Sequence, residues 1–311
     1  MNASGKSYLY ALLAILLWAT VPTAFKIGLQ ELGILPILTI ASGTSASVLL
    51  VIIIAQQKTS LLFRNSGKEL LGSALLGFIN PFIYYIILLN AYKLLPAQIA
   101  QPLNMIWPII LVFLSVPLLR QKIKTRSYIA LFISFAGVYV IASQGNFFKA
   151  GHSDIRGVLL ATGSSVFWAL YFILNVRDKR DEVIKLFLNF LFGYMYLMVT
   201  LLITKEWQVS GTVAKGLFAA VYIGLFEMGI TFLFWLKALQ MAETTDKVSN
   251  LVYIAPFLSL ILVHFILGEP IYFTTPAGLV LIISGILLQN SRKVVFHRLI
   301  HFEKKNNGGK S

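Results

Sequence analysis

The feature that most constrains this chain is a succession of apolar runs, each about the length of a bilayer crossing. "LYALLAILLWATVPTAF", "ILTIASGTSASVLLVIIIA", "MIWPIILVFLSVPLL" and "YIALFISFAGVYVIA" are separated by short polar stretches. A spanning helix needs about 20 mostly apolar residues, because each adds about 1.5 Å toward about 30 Å of hydrocarbon. Composition agrees: 58% of residues are hydrophobic, 12% are charged and mean hydropathy is +0.80. Soluble domains run at about 25% charged. A chain this apolar cannot cover itself with polar surface in water, so the lipid bilayer is its expected solvent.

Ten spans are expected: Tyr8–Phe25, Pro36–Gln56, Leu70–Leu89, Ile99–Leu119, Ser127–Ser143, Gly157–Asn175, Val183–Thr204, Gly216–Leu236, Val248–Leu267 and Pro276–Asn290. No small-residue cleavage site follows the first, which therefore reads as a span and not as a cleavable signal. The connections are too short for an appended soluble domain. The expected fold class is an all-α polytopic membrane protein of ten transmembrane helices. There is no cysteine, which removes disulfides and thiolate sites. No GxxxxGK[ST] phosphate loop occurs, so neither ATP drive within this chain nor any cofactor is expected.

A net charge of +14 would suit nucleic acid, but its distribution points elsewhere. With the N-terminus in the cytoplasm, inside segments hold twenty Lys and Arg, including the clusters Lys58–Lys68, Arg120–Arg126 and Arg177–Lys185, and outside segments hold six. That asymmetry is the positive-inside signature. Both termini are therefore expected in the cytoplasm, in a bacterial-type inner membrane, with no nucleic-acid partner. The basic tail, 292–311, reads as an anchor to anionic lipid at ~1 kcal/mol per basic residue near the surface.

The chain repeats itself at a spacing of about 148 residues. "LLWATVPTAF" from Leu16 matches "VFWALYFILN" from Val166, setting Trp18 over Trp168. "GFINPFIYYIILLNA" from Gly77 matches "GLFEMGITFLFWLKA" from Gly224 without a gap, and Pro108 falls over Pro256. Ala130 and Gly137 fall over Gly278 and Gly285, most simply as helix-packing positions. The expected organisation is a first five-helix repeat over 1–150, a second over 151–291, and the tail. An odd number of spans inverts the second repeat in the membrane. Inverted repeats with a midplane site are a secondary-transporter pattern in which one half rocks against the other.

"APFLSLILVHFILGEPIYFTTPAGLVLIISGILL", Ala255–Leu288, together with the repeated opening "LLWATVPTAFKIG", resembles the drug/metabolite transporter superfamily in its ten-helix EamA branch. The likeness runs from about Tyr8 to Asn290. One departure is visible: the Leu267-Gly268-Glu269 turn has Arg120, Gln121 and Lys122 at the corresponding place in the first half. The resemblance implies a secondary transporter, an exporter of small organic metabolites such as amino acids.

The residues offer candidate binding positions. Glu227 stands alone in "AAVYIGLFEMGITFLFWLKAL", where burying a carboxylate costs ~2.5–3.5 kcal/mol on insertion scales. Ala220, Gly224, Glu227 and Thr231 share a helical face, and Ser73, Gly77, Asn80 and Tyr84 repeat it in the third span. Asn80, Tyr84, Glu227 and Thr231 are thus expected to face one cavity. Glu227 can couple proton movement, bind a substrate ammonium, or serve as a protonated packing group. Trp18 and Trp168 lie in mid-span, away from the interfacial belts, as walls for an organic substrate or as packing. Asn104, Trp107, Asn250 and Tyr253 are further cavity candidates, and Lys26 and Arg177 snorkel at span ends.

Two other classes compete. An intramembrane hydrolase would need a catalytic set at depth, but the spans carry no aspartate and His264 is their only histidine. A lipid-handling flippase or a scaffold without transport remains as the alternative. The sequence specifies neither substrate, coupling ion nor oligomeric state.

Overall fold

The computed structural model describes residues 3–119, 125–145, 153–207, 209, 211–241 and 251–290. The expected tail, 292–311, lies outside the described residues. Seven apolar helical stretches are long enough to cross a bilayer, and three shorter ones, Ser127–Ser143, Leu251–Leu267 and Thr274–Leu288, complete the ten expected spans. The protein is an integral multi-pass membrane protein.

In the first repeat, α1 (Ala3–Glu31) and α2 (Ile34–Ala55) are continuous, and a short α3 (Thr59–Leu62) leads to the third span. That span begins as α4 (Gly67–Gly77), passes through a π-helical stretch (Phe78–Ile83) and continues as α5 (Tyr84–Leu94). Ser66 and Glu69 form a reciprocal capping box that starts α4. The interruption is chemical. Pro81 has no N–H to give to the helix, and Asn80 adopts an extended backbone at φ −146°, ψ 119°. The fourth span is split into α6 (Ala97–Asn104) and α7 (Trp107–Leu119), and α8 (Thr125–Ser143) closes the repeat.

The second repeat follows the same plan. Asp154 caps α9 (Ile155–Arg177) and Asp181 caps α10 (Glu182–Thr204), each accepting from backbone N–H groups of the first turn. The eighth span is again broken, into α11 (Val213–Phe226) and α12 (Ile230–Met241). Glu227 sits in that break, where Asn80 sits in the first repeat. A 3₁₀ turn (Leu251–Ile254), α13 (Ala255–Leu267) and α14 (Thr274–Asn290) complete the chain.

The repeats interleave. Helix α1 packs on α11, α12 and α13, all from the second repeat, and α9 packs on α5, α6 and α7 from the first. Likewise α2 lies on α10 and α11, while α10 lies on α4. The packing does not divide at the boundary between the two sequence halves. Each packed bundle draws spans from both halves, because the first span of each repeat finds its partners in the third and fourth spans of the other. The fifth spans, α8 and α14, pair along a glycine seam. A Cβ built on Gly137 would approach the Gly278 carbonyl to 2.6 Å, and one on Gly278 would approach the Gly137 carbonyl equally closely. Only small residues allow that approach.

Two polar clusters mark the opposite ends of the bundle. At one end the Glu269 carboxylate accepts from Ala97 N (3.0 Å) and Gln98 N (3.3 Å), the first turn of α6. Buried Gln98 donates to the Pro270 carbonyl and accepts from Tyr272 N at 3.3 Å. Beside them Lys26 Nζ donates to the Tyr92 carbonyl at 2.6 Å. At the other end Lys58 pairs with Asp181 at 2.6 Å, and Arg180 pairs with Asp178 at 2.5 Å while donating to Ser73 and Asn65.

Candidate functional site

The break in the eighth span presents Glu227 to the middle of the molecule. Backbone N–H groups of Glu227 and Met228 both turn to the Ile223 carbonyl, at 2.8 and 3.2 Å. The helix restarts at Ile230, with the Thr231 hydroxyl bonding back to the Phe226 carbonyl at 2.5 Å. An unpaired carbonyl at membrane depth must find a donor, and Thr231 supplies it. The Glu227 carboxyl accepts from the Tyr85 hydroxyl at 2.9 Å. Tyr85 belongs to α5, so this bond joins the two repeats.

A cavity of about 120 Å³ opens beside Glu227. Trp18, Val21, Pro22 and Phe25 of α1 form one wall, and Tyr84, Leu88 and Tyr92 of α5 face it. Gln101, Asn104, Met105 and Trp107 come from the split fourth span, Trp168 from α9, and Val252 and Ala255 from the start of the ninth span. The rings form a connected set. Trp168 lies 5.1 Å from Tyr84, 6.4 Å from Trp107 and 5.7 Å from Phe232. Trp18 meets the same Phe232 edge-on at 6.0 Å. The two tryptophans aligned in sequence thus flank one phenylalanine. The Tyr84 hydroxyl donates to Asn104 Oδ1 at 3.3 Å, and Asn104 Nδ2 donates to Ser164 at 2.7 Å, which fixes the amide's orientation.

The structure brings together Glu227, Tyr84, Trp18, Trp168, Asn104 and Trp107 around this space. It sets Asn80 and Thr231 elsewhere. The extended backbone at Asn80 destroys the four-three-four spacing, so Asn80 and Tyr84 no longer share a face. The Asn80 side chain is fully buried, facing the Tyr171 hydroxyl without closing a hydrogen bond. Thr231 is buried against the backbone it caps. Tyr253 packs partly buried beside the lining pair Val252 and Ala255. Asn250 lies outside the described residues.

Gln101, Phe25 and Tyr92 line the cavity and Tyr85 bonds to Glu227 behind it, and the sequence reading singles out none of the four. Gln101 had a signal: it is an amide in an apolar span, three residues before Asn104 and hence on its face. Tyr85 had none, because regular helical spacing selects Tyr84. Among the described residues no group of His, Cys, Asp and Glu could hold a metal. Chemically the site is an aromatic enclosure with one carboxyl and two amides.

The model of the EamA-like transporter family matches residues 5–143 and again 155–291. The chain is 26% identical over 247 residues to "Uncharacterized transporter YvbV" of Bacillus subtilis (strain 168), covering 79% of each chain. It is 25% identical over 295 residues to an "Uncharacterized transporter" of Clostridium kluyveri, covering 92% of this chain and 93% of that one. It is 24% identical over 210 residues to "Aromatic amino acid exporter YddG" of Ancylobacter novellus, covering 67% of this chain and 70% of the exporter. A solved crystal structure at 20% identity shares the fold with a TM-score of 0.63, over 93% of this chain and 97% of the other.

Proposed function

This chain belongs to the EamA-like transporter family, and we propose that it exports small organic metabolites across a bacterial inner membrane by alternating access at the Glu227 cavity. The observation that carries this reading is the bond from Tyr85 to Glu227 in the cavity wall. A substrate held there touches α1 and the start of the ninth span on one side, and α5 with the fourth span on the other. It can therefore bias how the two mixed bundles sit against each other, which is the requirement for coupling a ligand to a conformational change.

With both termini cytoplasmic, the Glu269 end is external. The ties at Glu269 and Lys26 then join the outer ends of the bundles, so substrate loads from the cytoplasm, as export requires. Residues 1–150 and 151–291 act as the two repeats of the carrier. Glu227 is the group that can carry a coupling proton. The relative named an aromatic amino acid exporter supports amino acids or similar compounds as the substrate class of this chain.

Untargeted metabolite comparison of cells with and without the protein, followed by flux in proteoliposomes, tests the transport reading; no difference in either sinks it. An alkaline-phosphatase fusion at Thr274 is expected to be active and one at Lys124 inactive, and the reverse overturns the orientation. A lipid-handling role draws on one observation, a groove of about 450 Å³ between α2 and α10 lined by Thr39, Gly43, Phe187 and Tyr194. Faster movement of labelled phospholipid between leaflets of the same vesicles would favour it.

A further inference from the structure

The charge pattern of the cavity narrows its ligand. Glu227 is the one ionisable acid or base whose side chain lines the space among the described residues, apart from the tyrosines. Around it stand Trp18, Trp107, Trp168, Phe25, Tyr84 and Tyr92. Among the described residues Lys26 follows the lining Phe25 on α1, but its ammonium is held by the Tyr92 carbonyl at the Glu269 end. The remaining polar groups, Gln101 and Asn104, are neutral, and Asn104 is already engaged with Tyr84 and Ser164.

We propose that this cavity selects an organic monocation, an amine or quaternary ammonium with an aromatic or bulky apolar body and no carboxylate. Aromatic faces attract a cation through their quadrupole, and a carboxylate at the same place completes the recognition. A zwitterionic amino acid satisfies only half of this. Its ammonium would meet Glu227, but its carboxylate would lose water without meeting a positive partner among the described lining residues, and burial of an unpaired charge is strongly disfavoured. An apolar cavity of about 150 Å³ takes one benzene ring and this one is about 120 Å³, so a ring-bearing cation requires the enclosure to widen on binding. The inference rests on reading the Glu227 cavity as the transport site, and it departs from the amino-acid substrate that one relative's name suggests.

The test uses three probes that share a ring and differ in charge: phenethylammonium, L-phenylalanine and phenylacetate. Binding to the detergent-solubilised full chain is followed by its tryptophan fluorescence, since Trp18, Trp107 and Trp168 line the cavity. Phenethylammonium is expected to bind at least about tenfold more tightly than phenylalanine, with phenylacetate weakest. Glu227→Gln is expected to cost phenethylammonium about tenfold in affinity, while Glu227→Asp retains most of it and controls for folding. Equal or tighter binding of phenylalanine, cation binding indifferent to Glu227→Gln, or no binding by any probe overturns the proposal. Flux in proteoliposomes separates the two readings. Cation binding without flux removes the transport reading and leaves the selectivity; phenylalanine flux without cation binding does the opposite.

Discussion

The Tyr85 hydroxyl donates to the Glu227 carboxyl across 2.9 Å, and the two side chains come from different repeats. Both stand next to helix breaks. Tyr85 is the second residue of α5, just past the π-helical stretch, and Glu227 fills the gap between α11 and α12. Each repeat thus interrupts its third span at the same depth and presents a polar group there. The bond across the interruptions is a direct link between the bundles whose relative movement the proposed cycle requires.

Removing that link separates positioning from stability. A hydrogen bond between membrane helices contributes on average about 0.6 kcal/mol. Tyr85→Phe keeps the ring and is expected to shift the melting temperature by no more than a few degrees, while changing flux about threefold or more. A thermal melt and proteoliposome flux on the same preparation check it. A large loss of stability with unchanged flux per folded molecule would make the bond structural.

Glu227→Gln asks what the carboxyl does. Gln is close to isosteric and should insert normally. If Glu227 couples proton movement, the variant loses accumulation driven by a pH gradient, and Glu227→Asp keeps part of it. If Glu227 only binds an ammonium, the variant weakens affinity and the pH response largely persists. Wild-type rates with unchanged pH response would reduce Glu227 to a packing group.

The tie at Glu269 predicts an accessibility change. A carboxylate on a helix N-terminus is worth about 0.3–1 kcal/mol, and a neutral amide is worth less. Glu269→Gln is expected to open the Glu269 end several-fold more often. The chain has no cysteine, so a single Gln101→Cys is a unique probe in an otherwise unreactive background. Labelling by an impermeant maleimide from outside intact cells should be faster in the Glu269→Gln protein. Equal rates would mean that the cap does not hold the gate.

The opposite end carries a pH signature. Burial opposes ionisation of Asp181, but the bond from Lys58 and the N–H groups of Ile184 and Val183 outweigh it and hold the carboxyl below its ordinary range. The folded protein therefore binds this proton less readily than the unfolded chain. Its contribution is present above the unfolded value of about 3.9 and is lost as pH falls through the lower, folded one. The melting temperature is expected to decline on acidification below about pH 4, and Asp181→Asn should be less stable at neutral pH and flatter in that range. An unchanged acid slope in the variant would assign the decline to other groups.

Features that depend on local pattern were legible in the sequence. The spans follow from run length, the repeat from matched strings, and the glycine seam from small residues in register. Trp18 over Trp168 was visible as an alignment, and the two do flank one ring. What the sequence hid depends on backbone irregularity or on distant partners. A helical template gives Tyr84 where the structure uses both Tyr84 and Tyr85, because the residues before them leave the helix. Asn80 and Thr231 looked like cavity residues for the same reason. Glu269 was visible in its turn, but its partners, Ala97 and Gln98, lie on a helix of the other repeat. The interleaving itself has no sequence signature, since each repeat reads as a complete bundle.

That interleaving has a consequence for how the molecule is made. Helix α1 finds its partners in α11, α12 and α13, and some 210 residues separate Glu31 from Met241. At about 5–20 residues per second, α1 waits about 10–40 s in the membrane before its neighbours are synthesised. During that interval Trp18, Thr20 and Lys26 have none of their second-repeat neighbours beside them. A ribosome stalled after residue 150 therefore leaves five spans without a finished bundle, a target for membrane proteases. Supplying the second repeat as a separate polypeptide should rescue it, so that neither half is an inheritable unit of folding without the other.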